Sequence, residues 1–282
     1  MRFRPKAAHV LSDAQFRALV ISQATFDLGI FMRGTASSWV VFELTQSQLW
    51  IGLVAGVRAI PVLAFALMGG VISDRLGRRN LMIGAGALIA AASAVTAILI
   101  STELLVAWHM IAVSVIGGIG AALYGPAFYA MIADIVKSDR LVSANGILAV
   151  AQTTGEMLGP VIVGFVIAAS GAHTVYWLVV GGNVFGLLLL LRVHEPERPA
   201  IPDGETKPSL ASQFVEGLKY ARDTPPLLWL TLLVIAQNLF GVAIFALMPV
   251  YAEDVLDIGA SGFGIMGGVF GAGTLIGAVF VS

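Results

Sequence analysis

Cysteine is absent from this chain. That excludes disulfide frameworks, thiolate metal sites and cysteine nucleophiles. Charge is scarce as well: Asp, Glu, Lys and Arg make up 12% of the residues, against about 25% in an average soluble domain. Hydrophobic residues reach 58% and the mean hydropathy is +0.90. A soluble core of this size cannot bury that much apolar surface, so lipid must replace water around most of the chain. Enzyme signatures are also missing, with no metal-ligand spacing, no nucleophile motif and no phosphate-binding glycine loop beside a strand. The first residues are basic but lack a short apolar core and a small-residue cleavage site. No cleaved signal peptide is expected, and the first apolar segment stays as a helix. The net charge of −1 says little; the positions of the charges say more.

Apolar stretches of about 20 residues, enough to cross roughly 30 Å of hydrocarbon as helix, recur near 17–43, 48–72, 81–101, 104–136, 142–170, 173–192, 226–252 and 262–282. Helix is the required form, because backbone polar groups in lipid must be paired within their own segment, and strands alternating in a barrel would not be apolar on both faces. The expected fold class is therefore all-α integral membrane protein. Every Lys and Arg except Arg33 and Arg58 falls before the first span or in alternate connections, around Arg75–Arg79, Lys137–Arg140 and Arg192–Arg222. The positive-inside rule then places the N-terminus and these loops in the cytoplasm.

Residues 193–225 differ in composition. A charged, proline-rich stretch, EPERPAIPDGETKPS, leads into a segment where Leu210, Phe214 and Leu218 recur every four residues. That spacing makes one apolar stripe on a helix lying in the membrane interface. Three units follow: a six-helix bundle over 1–192, a cytoplasmic linker over 193–225, and two further helices over 226–282. The last residues, GTLIGAVFVS, are apolar to the end, so a truncated eighth span is expected.

Between the second and third spans lies Gly70-x-x-x-Asp74-Arg75-x-Gly77-Arg78-Arg79. A short basic turn needs only glycine for the bend and arginines as anchors. The full pattern in this place resembles the signature loop of the major facilitator superfamily. In the fifth span, Gly146, Gly155, Gly159, Pro160 and Gly164 resemble the antiporter signature of its drug-exporting members, with Val163 where a glycine is expected. Glycines at four-residue spacing also let helix backbones approach in any membrane bundle. LWIGLVAGVRAIP, and YGPAFYAMIADIV leading into LVSANG, are similar to macrolide- and siderophore-exporting members. Ser114 stands where many proton-coupled members carry an arginine. The resemblance implies twelve helices in two six-helix halves, here cut to about eight, with substrate bound near the midplane between the halves.

Charges inside the spans stand apart from any resemblance. A charge at the bilayer centre costs at least about 2.5–3.5 kcal/mol, so it needs a partner or a wet cavity. Asp27 lies roughly 15 Å into the first span at 1.5 Å per residue, and Glu156 is at comparable depth in the fifth. Gln23 and Gln152 each sit one turn before an acid, and Gln237 and Asn238 fall at the same level in the seventh span. Arg33 lies further outward, and Arg58, counted from the outer end of the second span, falls near its level. Arg58 is expected within reach of Asp27 if the two helices pack side by side, either as a structural ion pair or as part of the pathway. Glu156 has no evident basic partner, which makes it the candidate for proton uptake and release. Tyr124 is a candidate cavity-lining residue. Asp134, at the cytoplasmic end of the fourth span, either joins the Asp74–Arg79 network or is a solvated helix end.

The resulting reading is a secondary transporter of the cell membrane that exports small amphipathic molecules by alternating access. It has no cofactor, since the proton gradient supplies the driving force. Its partners are a small-molecule substrate and the lipid bilayer; no nucleic acid is expected, and the chain is expected to act as a monomer. An uptake permease on the same scaffold and a non-transporting membrane scaffold or sensor are the alternatives. The missing cysteines make the orientation directly testable. Ser138→Cys should react with a membrane-impermeant maleimide only after the cells are opened, and Thr102→Cys in intact cells; the reverse pattern would invert the topology.

Overall fold

The computed structural model describes residues 12–66, 76–195, 219–220, 222–236 and 247–281, and no β-strand occurs among them. Helix α1 (Ala14–Thr45) is followed by α2 (Gln48–Val57) and α3 (Ala59–Ala66). Then come α4 (Arg78–Ser101), α5 (Ala107–Ile135), α6 (Leu141–Ser170) and α7 (Ala172–Leu190). Helices α8 (Pro225–Ala236) and α9 (Gly259–Val281) fall in the seventh and eighth expected spans. The apolar stripe at Leu210, Phe214 and Leu218 lies outside the described residues.

Helices α4, α5 and α7 and the stretch Ser138–Ser170 are long and apolar enough to cross a membrane, with hydropathies from 1.4 to 2.2. Helix α1, with 32 residues, reaches about 48 Å despite its internal charges. The second span is not one continuous helix. Pro61 lacks the N–H that would bond the Val57 carbonyl, and its ring crowds that carbonyl. The helix accordingly ends at Val57 and restarts at Ala59, leaving Arg58 at the break.

Helix α1 packs mainly on α6 and α7, α4 lies against α5 and α7, and α5 also carries α2 and α3. Helix α9 docks on α6. Two apolar clusters stabilise the bundle, one at each end. The first gathers Trp39, Phe42, Met110, Tyr176 and Phe263; the second gathers Phe16, Leu81, Phe128, Met131 and Leu190. Between them, α1, α4 and α7 bury the polar side chains Asp27, Ser93 and Asn183. Large apolar residues such as Ile98, Trp177, Phe185 and Leu188 remain exposed. Helices that are apolar on both the inner and the outer face belong in lipid.

Close helix approach depends on absent side chains. A Cβ at Gly264 of α9 would lie 2.7 Å from the Gly164 Cα of α6, and one at Gly159 would lie 2.8 Å from the Phe31 Cβ of α1. Gly77 has φ +79° and leaves α4 without a cap of its own. Glu195, just beyond α7, serves instead: its carboxylate accepts from Arg78 N at 3.0 Å and Arg79 N at 3.2 Å. A carboxylate there pairs free N–H groups and meets the positive end of the helix dipole.

Two outcomes follow. Gly164→Leu should overpack the α6–α9 seam and cost about 1–3 kcal/mol, seen as a lower melting temperature in detergent, whereas Gly182→Ala, which meets open space, should not lower it. Glu195→Ala should cost about 1 kcal/mol by removing the cap; an unchanged melting temperature would show that the cap contributes nothing.

Candidate functional site

The middle layer of the bundle holds the membrane-embedded charges. The α6 backbone at Gly155 meets the α1 backbone at Asp27 and Leu28: a Cβ on Gly155 would lie 3.1 Å from Leu28 N and 3.4 Å from Asp27 C. Asp27 and Glu156 therefore stand at one level on touching helices. Gln23 Nε2 donates to Asp27 Oδ1 at 2.8 Å, one turn away. Glu156 is half-buried and has no hydrogen bond or ion pair among the described residues. Gln152, one turn before it, is exposed and likewise makes no bond to Glu156. The two acid–amide pairs thus look alike in sequence and differ in space.

Arg58 does not pair with Asp27, which corrects the expectation that the two are within reach. Arg58 lines a cavity with Arg33, Ser37 and Ser38. These α1 positions lie six to eleven residues beyond Asp27, about 9–16 Å along the axis, further than a guanidinium spans. The helix break at Arg58 fixes that level, because α5 packs on it; a Cβ on Gly118 would lie 2.6 Å from the Arg58 carbonyl oxygen.

The cavity holds about 240 Å³ between α1, α2, α5 and α7. Ser114 and Tyr176 complete its polar lining. Arg33 donates from NH1 to Ser93 Oγ at 3.5 Å, at the limit of a hydrogen bond. Its NH2 is buried without a partner. No acid lines the cavity among the described residues. Two cations thus share one apolar-walled space, each carrying an insertion cost of at least about 2.5 kcal/mol.

Tyr124 belongs to a packed cluster, 5% exposed, with its ring 4.6 Å from Phe26 and 6.4 Å from Phe128. Its hydroxyl lies near Ser22 and Asp27. Gly155 and Gly159 face α1, while Pro160 and Gly164 face Gly267 and Gly264 of α9. Gly146 meets open space. At the opposite end from the arginine cavity, Arg78 pairs with Asp134 and also donates to the Ala130 carbonyl. Arg79 donates to the Leu190 and Leu191 carbonyls at 3.1 and 2.7 Å. Gly77 turns the chain into these contacts. Gly70, Asp74, Arg75, Gln237 and Asn238 lie outside the described residues.

Sequence reasoning passed over Glu195 and the place of Ser114. Glu195 sits in a charged stretch that reads as solvated linker; the usable signal was a helix beginning at Arg78 with no capping side chain of its own. Ser114 drew notice only as a missing arginine, whereas the cavity beside it receives its positive charge from α1 and from Arg58 at the break after α2.

Among curated relatives, Multidrug resistance protein 1 of Bacillus subtilis is 27% identical over 255 residues, covering 89% of this chain and 61% of the relative. Macrolide efflux protein A of Streptococcus pyogenes is 25% identical over 249 residues, covering 86% and 60%. The chain thus spans about 60% of the length of these relatives. Among solved structures, a bacterial homologue of the human lysosomal transporter Spinster, inward-facing and unoccupied, superposes with a TM-score of 0.70 at 15% identity, covering 99% of this chain and 63% of that one. The D-xylose-proton symporter gives 0.61 at 18% identity, covering 92% and 65%. At these identities the superpositions show the fold, that of the major facilitator transporters. Residues 7–282 match the family described as transmembrane secretion effector. The chain is therefore an integral membrane protein of the major facilitator superfamily and belongs to its transmembrane secretion effector family.

Proposed function

We propose that this protein exports small amphipathic molecules across the cell membrane in exchange for protons, by alternating access and with no enzymatic step. The observation that carries the reading is Glu156, a mid-helix carboxylate without a partner among the described residues, next to Gly155, where α6 touches α1 at Asp27 and Leu28. A carboxylate with no fixed cation can hold a proton on one side of the membrane and release it on the other. Gln23 already occupies one oxygen of Asp27, so Glu156 is the more available of the two.

The neighbourhood supports movement coupled to protonation. Glu156 lies between Gly155, pressed on α1, and Pro160, pressed on α9. A charge change there acts on the seam between the six-helix bundle of 1–192 and the helices of 226–282. The Arg78–Asp134 pair, with Asp74 and Arg75 of the same motif, would hold one end closed in one of the two access states. The basic loops support a cytoplasmic location for the N-terminus and this end. Relatives named for multidrug resistance and macrolide efflux favour export over uptake. The protein acts as a monomer on a small-molecule substrate, with the proton gradient in place of a cofactor.

In everted vesicles, adding a macrolide or a lipophilic dye should release protons from the acidified lumen. Glu156→Gln should reduce this release at least about tenfold, corresponding to a loss of some 1.4 kcal/mol of coupling, while Gln152→Ala should leave it within about twofold. Undiminished proton release in Glu156→Gln would sink the coupling role. Substrate accumulation equal to that of empty cells, with or without a protonophore, would sink export itself.

A further inference from the structure

We propose that the Arg33–Arg58 cavity binds the carboxylate of a small amphipathic organic anion. The inference rests on the export reading only where it names that anion as cargo. Three observations converge. Two guanidinium groups, from α1 and from the break between α2 and α3, line one cavity of about 240 Å³, close enough for their charges to act on each other. Neither has an acidic partner among the described residues, and Arg33 NH2 is buried with no hydrogen bond at all. Hydroxyls from Ser37, Ser114 and Tyr176 border the same space, ready to share the remaining lone pairs of an oxyanion.

The chemistry narrows the ligand. Guanidinium forks match the planar, two-oxygen geometry of a carboxylate and bind it by paired charge-assisted hydrogen bonds. The remaining walls are apolar, with Val54, Met110 and Val113 among them. A bare inorganic ion would leave those walls unmatched, whereas an anion with a hydrocarbon body covers them. Drug-sized ligands occupy cavities of about 300–1,000 Å³. The space here therefore suits a small acid, or the acidic end of a larger molecule, and not a whole macrolide. Asp27 does not compete for the arginines, since it precedes Arg33 on α1 by about 9 Å along the axis and already accepts from Gln23. An anionic lipid headgroup offers the same oxyanion on an apolar body, and the lipid composition in the test separates it from a soluble acid.

The test is equilibrium binding of radiolabelled benzoate to the purified protein in phosphatidylcholine nanodiscs. Saturable binding is expected, displaced by unlabelled benzoate and not by the neutral isostere benzamide. Arg58→Gln alters a half-buried residue at a helix break and should weaken binding at least about tenfold. Gly117 lines the cavity and meets open space at its Cβ, so Gly117→Leu should plug the site with both arginines in place and weaken binding similarly. Equal displacement by benzamide, or unchanged affinity in both variants, overturns the proposal. Repeating the measurement with phosphatidylglycerol in the nanodisc separates the sources: unaltered benzoate affinity supports a soluble acid as ligand, and competitive loss assigns the site to a lipid headgroup and overturns the cargo assignment. Protonophore-sensitive export without benzoate binding removes this inference alone, and benzoate binding without export removes the export reading alone.

Discussion

Two helices can meet at backbone distance only where side chains vanish between them, and α6 meets this condition in two directions. Gly155 and Gly159 admit the α1 backbone at Asp27–Leu28 and Phe31–Met32, while Gly164 admits α9 at Gly264. In lipid there is little hydrophobic force between helices, so dispersion over such close seams does much of the work of association. The same approach sets Glu156 at the level of Asp27 on a touching helix, so the packing constraint also fixes the depth of the candidate acids. A larger residue at Gly155 would press on the α1 backbone at Asp27 itself.

Around that seam the bundle separates its tasks by depth. Apolar clusters stabilise both ends, and the polar side chains lie between them. The carboxylates occupy one level of the middle layer and the two arginines another, a turn and a half further along α1. The acids and the arginines are thus kept apart, and no ion pair joins them among the described residues. At the far end, Arg78, Asp134 and Glu195 join the start of α4 to the ends of α5 and α7. This rigid tie contrasts with the partly unsatisfied interior.

Much of the fold was legible because the bilayer imposes few rules and the chain obeys them over long runs. Span lengths, helical form and family followed from apolar stretches, the Gly70–Arg79 loop and the spacing Gly146–Gly164. The break in the second span was also encoded, in Pro61, and was missed because hydropathy alone ignores the lost hydrogen bond. The side-chain partnerships were far less legible. Gln23–Asp27 and Gln152–Glu156 share one spacing, yet only the first pair is bonded, because Gln152 faces out of the bundle.

Depth along each helix was calculable from sequence, since the rise per residue is constant. Rotation about the axis and the mutual slide of two helices were not, because they depend on which small residues admit which neighbour. The sequence alone therefore determined that charges and amides lie within the spans and that cysteine and enzyme motifs are absent. Only the tertiary structure decided that Arg58, already expected near the level of Arg33, shares a cavity with it and forms no pair with Asp27, that Glu195 caps α4, and that Gly155 and Gly164 face different helices. Those outcomes arise from contacts between distant segments, such as Arg78 and Glu195, 117 residues apart, which no local pattern contains.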